Sequence, residues 1–144
     1  MGRSYYISAE IDRQVREAAQ HRCGYCLSPQ HLLMARLEIE HIVPLAKQGG
    51  SDVLNLWLAC PPCNRFKGDR VTAIDQESGE MVALFNPRTQ VWSEHFRWIE
   101  GGLKIAGLTA IGRATVAALR LDSNPEALVV RGFWIQVGWH PPEN

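Results

Sequence analysis

The stretch that decides the fold begins with Cys23-Gly-Tyr-Cys26 and ends with Cys60-Pro-Pro-Cys63. Each pair has the Cys-x-x-Cys spacing that lets two thiolates bind one metal ion, and two pairs complete the tetrahedral set that Zn²⁺ prefers. Two disulfides or four unremarkable thiols are the alternatives. A disulfide within a Cys-x-x-Cys pair would be strained and redox-active, and neither pair has a thioredoxin-like context. We therefore predict one structural zinc ion bound by all four cysteines.

The segment enclosed by the cysteine pairs is rich in polar residues. It contains Glu40-His41-Ile-Val-Pro44, Gly49-Gly50 and Asn55-Leu-Trp57, and the second pair is followed by Asn64-Arg-Phe-Lys67. Carboxylate and amide oxygens bind hard cations such as Mg²⁺, and histidine is a suitable general base at neutral pH. These residue types are typical of a second, catalytic cation site.

Length and composition set broad limits. The chain has 144 residues, of which 46% are hydrophobic and 21% charged, which fits one domain or a small module with an extension. No apolar run is long enough for a membrane span, and the first residues do not resemble a secretory signal, so we expect a cytoplasmic protein with reduced thiols. With 15 basic and 15 acidic residues, the net charge neither supports nor excludes binding to DNA.

Local patterns predict the elements around the cysteines. Ser8 is suited to cap a helix that runs to about Gln20, because Glu10 and Asp12 follow in its first turn. Alternation predicts short strands at residues 37–40 and 54–59, and Pro61-Pro62 is typical of a helix start. Behind them we expect a hairpin over 71–85, a second hairpin near an aromatic cluster, and two helices capped by Thr109 and Asn124.

In this order, these motifs resemble those of the HNH endonuclease family in its zinc-knuckle, ββα-metal form. The resemblance covers roughly residues 20–70, about a third of the chain. It implies an α+β protein with a ββα-metal core and a four-cysteine zinc site. We accordingly expect a nuclease core with a supporting helix over residues 1–70, and an α+β extension of unknown role over residues 71–144.

The resemblance also implies roles for four polar residues. His41 corresponds to the general base, and Asn55 to the asparagine that holds the loop between the strands and orients the histidine. Glu40 and Asn64 correspond to the ligands of the catalytic cation. Because an amide oxygen suits Mg²⁺ or Mn²⁺ better than softer metals, these two are the cations we expect. The alternatives are a buried structural histidine and ordinary loop or helix residues.

Two further expectations concern geometry. Lys67 lies one helical turn beyond Asn64, so it could contact a phosphate together with Arg65, although solvated side chains are an equal alternative. Adjacent residues on a regular strand point to opposite faces, which argues against Glu40 and His41 meeting at one site. A strand end or a bulge at this pair would remove the objection.

The sequence as a whole therefore predicts a metal-dependent endonuclease that hydrolyses phosphodiester bonds in DNA, with RNA not excluded. The alternative is a catalytically inactive zinc-knuckle module that binds nucleic acid. The motif residues would contact phosphate and metal rather than base edges, so they carry no sequence preference. The near-neutral charge suggests weak unaided affinity for DNA, which makes a homodimer or a partner protein an additional expectation, and no membrane partner is expected.

Overall fold

A computed structural model describes residues 6–142 of the chain. The chain divides into two compact units, which are described separately below. Unit 1 contains the residues up to Val71 together with Asn86–Gln90, and unit 2 contains Thr72–Phe85 together with the residues from Val91 onward. Within the described residues, no helix combines the length and the apolar character that crossing a membrane would require.

Unit 1 begins with helix α1, Ala9–Ala18. The Ser8 hydroxyl accepts a hydrogen bond from the Ile11 amide, and Glu10 and Asp12 lie in the first turn, so the predicted cap and the favourable dipole charges are both present. Val15 is completely buried on the inner face of the helix. The helix ends just before the first cysteine pair, as the sequence predicts.

The centre of unit 1 is a two-stranded antiparallel hairpin followed by a helix. Strand β1 is Glu38–His41, strand β2 is Leu56–Ala59, and helix α2 is Pro61–Lys67. Strand β2 begins later than predicted because Val53–Asn55 form a 3₁₀ turn, whose N-terminus is capped by Asp52. Leu56 and Leu58 are fully buried and form part of the core.

A segment from the second half of the chain completes unit 1. Arg88 lies 5.1 Å from the ring centroid of Trp57, and its Nε donates a hydrogen bond of 3.2 Å to the carbonyl of Leu56. Asn86 accepts hydrogen bonds from the amides of Arg88 and Thr89, which turns the chain at this place. Unit 1 therefore includes residues beyond the motif region.

Unit 2 contains two hairpins and three helices. Strands β3, Thr72–Ile74, and β4, Met81–Ala83, form the first hairpin, and β5, Phe96–Ile99, and β6, Lys104–Gly107, form the second. The helices are α3 at Trp92–His95, α4 at Ala110–Leu119 and α5 at Pro125–Gln136. Both hairpins and the caps at Thr109 and Asn124 agree with the sequence patterns.

Close packing and ion pairs, including one between Arg113 and Asp75, stabilise unit 2. A Cβ on Gly112 would lie 2.0 Å from the carbonyl oxygen of His95, so α4 can approach the preceding segment only because this residue is glycine. Arg113 pairs with both carboxylate oxygens of Asp75 at 2.9 Å. The predicted α+β class is confirmed, with small sheets and five helices among the described residues.

Candidate functional site

The four cysteines of unit 1 form one cluster. Cys60 is the N-cap of α2 and Cys63 lies in its first turn, while Cys23 and Cys26 come from the turn after α1. All four sulfurs lie within 4.8 Å of one another, and the Cys26 and Cys60 sulfurs are 3.7 Å apart. Sulfurs bound tetrahedrally to zinc at about 2.3 Å are about 3.8 Å apart, so the cluster fits a four-thiolate zinc site.

The four thiols of the cluster shift one another's pKa in opposite directions. Hydrogen bonds from Cys23, Cys60 and Cys63 hold the pKa of the Cys26 thiol well below its usual range. Hydrogen bonds with Cys23 and Cys26 raise the pKa of Cys60 and of Cys63. One thiolate is thus favoured and further deprotonation is opposed, unless a dication neutralises the charge. A buried set of this kind fits a structural zinc site, and all four cysteines are free of disulfide bonds.

Glu40 lies in a closed environment below the hairpin. Its side chain is 2% exposed. The Tyr25 hydroxyl lies 2.7 and 2.8 Å from its two carboxylate oxygens, and the Lys67 ammonium lies 2.8 Å from Oε1. Burial raises the pKa of Glu40, and the charge and hydrogen bonds of its two partners oppose the rise.

Lys67 points inward, toward β1. It is 2% exposed, and its Nζ donates to the carbonyls of Ile42 and His41 at 2.9 and 3.3 Å as well as to Glu40. It shares a helix face with Asn64, as expected, but that face packs against the strand. The phosphate contact of Lys67 stays a prediction, and the burial of its ammonium with three protein acceptors weighs against it.

His41 is the last residue of β1 and is half-buried. Its Nε2 lies 3.1 Å from the hydroxyl oxygen of Ser51, in the loop between the strands. Burial lowers the pKa of His41, and the positive charge of Lys67 lowers it further. Both effects favour the neutral ring, which can accept a proton.

Asn55 fastens the loop that carries Ser51. Its Oδ1 accepts from the amide of Val43 at 2.9 Å, and its Nδ2 donates to the carbonyls of Val43 and Gly50 at 2.9 and 2.8 Å. A Cβ on Gly49 would lie 1.7 Å from the Val43 carbonyl oxygen, so the same close approach requires glycine. Asn55 therefore holds the loop, while the imidazole of His41 forms its hydrogen bond with Ser51.

Asn64 reaches a carboxylate that the sequence patterns did not single out. Its Nδ2 donates to Glu38 Oε1 at 2.9 Å, and Glu38 is exposed. Arg65, on the adjacent position of α2, is also exposed and lies 5.8 Å from the Phe66 ring centroid. It remains a candidate for a phosphate contact.

The four polar residues predicted to form the site each contact different partners. They are Glu40, His41, Asn55 and Asn64. The register of β1 and β2 runs unbroken from Glu38 opposite Ala59 to His41 opposite Leu56. No bulge brings Glu40 and His41 to one face, and strand alternation directs them apart. Glu38 and Glu40 lie on the same face, where they meet Asn64 and Lys67 of α2.

Three residues that form these contacts were not predicted from the sequence: Tyr25, Glu38 and Ser51. Tyr25 lies between Cys23 and Cys26 in the sequence and is completely buried, and the hydroxyl group of a buried tyrosine needs a partner. Glu38 occupies the same strand face as Glu40, which period-two alternation indicates. Nothing in the local pattern distinguishes Ser51 from an ordinary loop serine.

Comparison with known proteins supports part of this interpretation. Residues 23–70 match the HNH endonuclease family, so the resemblance is confirmed for that third of the chain. The matched segment includes all four cysteines and both strands of the unit 1 hairpin. No curated protein and no solved structure matches the chain.

Proposed function

We propose that the protein is a metal-dependent endonuclease that hydrolyses phosphodiester bonds in DNA, with His41 as the general base. The observation that carries the proposal is the HNH match over residues 23–70, which includes a half-buried histidine at a strand end. Phosphodiester hydrolysis requires a water molecule to lose a proton as it attacks phosphorus, and a neutral imidazole can accept that proton.

Ser51 orients the His41 ring in this mechanism. When Nε2–H donates to the Ser51 hydroxyl oxygen, 3.1 Å away, the lone pair of Nδ1 is left to take the proton from water. The lowered pKa of His41 favours the neutral form of the ring. Asn55 contributes by holding the loop, and thereby Ser51, in place.

A catalytic Mg²⁺ or Mn²⁺ would stabilise charge on the phosphate and on the leaving oxygen. The predicted ligand pair, Glu40 with Asn64, fits only in part, because Glu40 is enclosed by Tyr25 and Lys67. Of the predicted pair, only Asn64 is open to a cation, and Glu38 is the exposed carboxylate beside it.

Contacts with the substrate would be made to its backbone. Arg65 is the exposed cation on α2 next to Asn64, and a guanidinium is suited to bind a phosphate through paired hydrogen bonds. Such contacts position a nucleic acid without reading its bases. Sequence preference would then come from unit 2, a second copy or a partner protein.

An inactive zinc-knuckle module that binds nucleic acid is a second candidate, favoured by one observation. Among residues 6–142, the cysteine cluster is the only group of at least three histidine, cysteine or acidic side chains placed to hold a metal ion. The Glu40 carboxylate, to which the HNH resemblance gives the role of cation ligand, is already paired with Lys67. Binding without cleavage is the behaviour this alternative expects.

Plasmid cleavage with Mg²⁺ or Mn²⁺ separates the candidates. The parent should convert supercoiled DNA to nicked or linear forms, and His41→Ala should lose at least about 100-fold of that rate. His31→Ala is the matched control, because His31 is exposed and lies outside the site. Equal cleavage by parent and His41→Ala would overturn the mechanism. Binding without cleavage by the parent would favour the inactive module, and a preference for RNA oligonucleotides would change the substrate class.

A further inference from the structure

Three buried side chains meet beneath the end of β1. The Tyr25 hydroxyl contacts both oxygens of Glu40, and Lys67 contacts Oε1 of Glu40 at 2.8 Å. Tyr25 is 0% exposed, and Glu40 and Lys67 are each 2% exposed. The three come from different segments: the first cysteine turn, strand β1 and helix α2.

The hydrogen-bond capacity of Lys67 is fully used. An ammonium group has three N–H donors, and Nζ has three acceptors: Oε1 of Glu40 and the carbonyl oxygens of His41 and Ile42. Both carbonyls belong to the place where the chain leaves the strand. The network therefore holds the backbone of the residue that carries the candidate base.

We infer that Tyr25, Glu40 and Lys67 form a positioning network that orients His41 through its main chain, and that Glu40 is a partner of Lys67 rather than a ligand of a divalent cation. The inference rests on the proposed function of His41. It revises the role of Glu40 that the HNH resemblance implies.

Charge and geometry both favour this assignment over metal ligation. A dication at Glu40 would have to displace an ammonium that lies 2.8 Å from Oε1, or else share the carboxylate with a like charge. A buried ion pair is by itself weak evidence for stability, since a well-packed apolar pair is often as stable. A positioning role explains the buried pair of Glu40 and Lys67, which stability alone does not explain.

Tyr25→Phe is the sharpest test, because it removes one hydroxyl and leaves the ring in place. Tyr6→Phe is the matched control, since Tyr6 is 68% exposed. For molecules shown to bind one zinc each, we expect Tyr25→Phe to lower kcat about 10- to 100-fold with KM within about twofold, because a small displacement of a catalytic group has effects of this size. The ¹⁵N resonances of the His41 ring should shift in Tyr25→Phe and stay in place in Tyr6→Phe.

Metal affinity tests the second half of the inference without relying on activity. Mn²⁺ binding, followed by electron paramagnetic resonance, should be weakened at least about tenfold in Asn64→Ala and stay within about twofold of the parent in Glu40→Gln. Lys67→Met should shift the His41 resonances, and Lys104→Met, which removes an exposed pair with Glu100, should not.

The outcomes are separable. Unchanged His41 resonances and unchanged kcat in zinc-bound Tyr25→Phe would overturn the positioning role, even with a lowered unfolding midpoint. Loss of Mn²⁺ binding in Glu40→Gln would overturn the assignment of Glu40. If Tyr25→Phe loses its zinc, the isosteric Glu40→Gln supplies the same resonance test. If the parent cleaves nothing, the proposed function fails, while the resonance and Mn²⁺ measurements still decide the network.

Discussion

Asn55 offers the most direct test of how the loop of unit 1 is held. In Asn55→Asp the size is unchanged and one oxygen still accepts from the Val43 amide. The second oxygen replaces Nδ2, so an acceptor now faces the carbonyls of Val43 and Gly50, where two donated hydrogen bonds of 2.9 and 2.8 Å existed before. The change removes two hydrogen bonds and adds repulsion.

The magnitude follows from those two contacts. A hydrogen bond contributes about 1 kcal/mol to the net free energy of unfolding, so losing two should cost about 2 kcal/mol, and unpaired carbonyls facing a carboxylate bring the total to about 2–3 kcal/mol. The loop carries Ser51, so its displacement should also release the His41 ring. Cleavage should therefore fall together with stability.

Urea unfolding and amide hydrogen exchange measure the effect. The Val43 amide should keep its protection in Asn55→Asp relative to neighbouring amides, and should exchange about fivefold faster in Asn55→Ala, which loses the acceptor as well. Asn86→Asp is the matched control. The side-chain oxygen of Asn86 accepts from the amides of Arg88 and Thr89, and an aspartate oxygen can accept in the same way. A free energy of unfolding within about 0.5 kcal/mol of the parent in Asn55→Asp would refute the reasoning.

Three further predictions concern zinc, pH and the segment from the second half of the chain. Native mass spectrometry should find one zinc per chain. Because zinc binding contributes directly to folding, Cys60→Ser or a strong chelator should lower the melting temperature of unit 1 by roughly 10 °C or more. A zinc-free protein as stable as the parent would contradict this prediction. The pKa of His41 lies below its ordinary value of 6.5, and cleavage needs the neutral ring, so kcat/KM should rise with pH, pass its half-maximal point below pH 6.5 and then level off; a half-maximal point above pH 7 in the rate profile would oppose the assignment. Arg88→Ala removes the hydrogen bond to Leu56 and the contact with Trp57, so it should lower the free energy of unfolding of unit 1 in urea by about 1.5–2 kcal/mol. Arg88→Lys should lower it less. Equal stability of the parent and both variants would show that the segment is dispensable.

The domain division expected from the sequence, 1–70 and 71–144, stays a prediction. The compact units differ from it in one respect, because Asn86–Gln90 return to unit 1. A segment of five residues that crosses back to an earlier unit leaves no periodic signal. Its contacts, such as that between Arg88 and Trp57, join residues far apart in sequence.

Local chemistry allowed the sequence by itself to determine much of this protein. Ser8, Thr109 and Asn124 cap helices because their side chains accept from amides two or three residues away. The cysteine spacing predicted the cluster, because two Cys-x-x-Cys pairs supply the four thiolates that one tetrahedral zinc ion binds.

Only the tertiary structure decided the partners of the polar residues. Glu40 has the residue type of a metal ligand, yet Lys67 neutralises it and Tyr25 donates to it, which places it in a closed network. Residue type specifies what a side chain can bind. Which partner it finds depends on desolvation and on elements that meet only in the folded chain, so the same carboxylate at the surface would remain free to bind a cation.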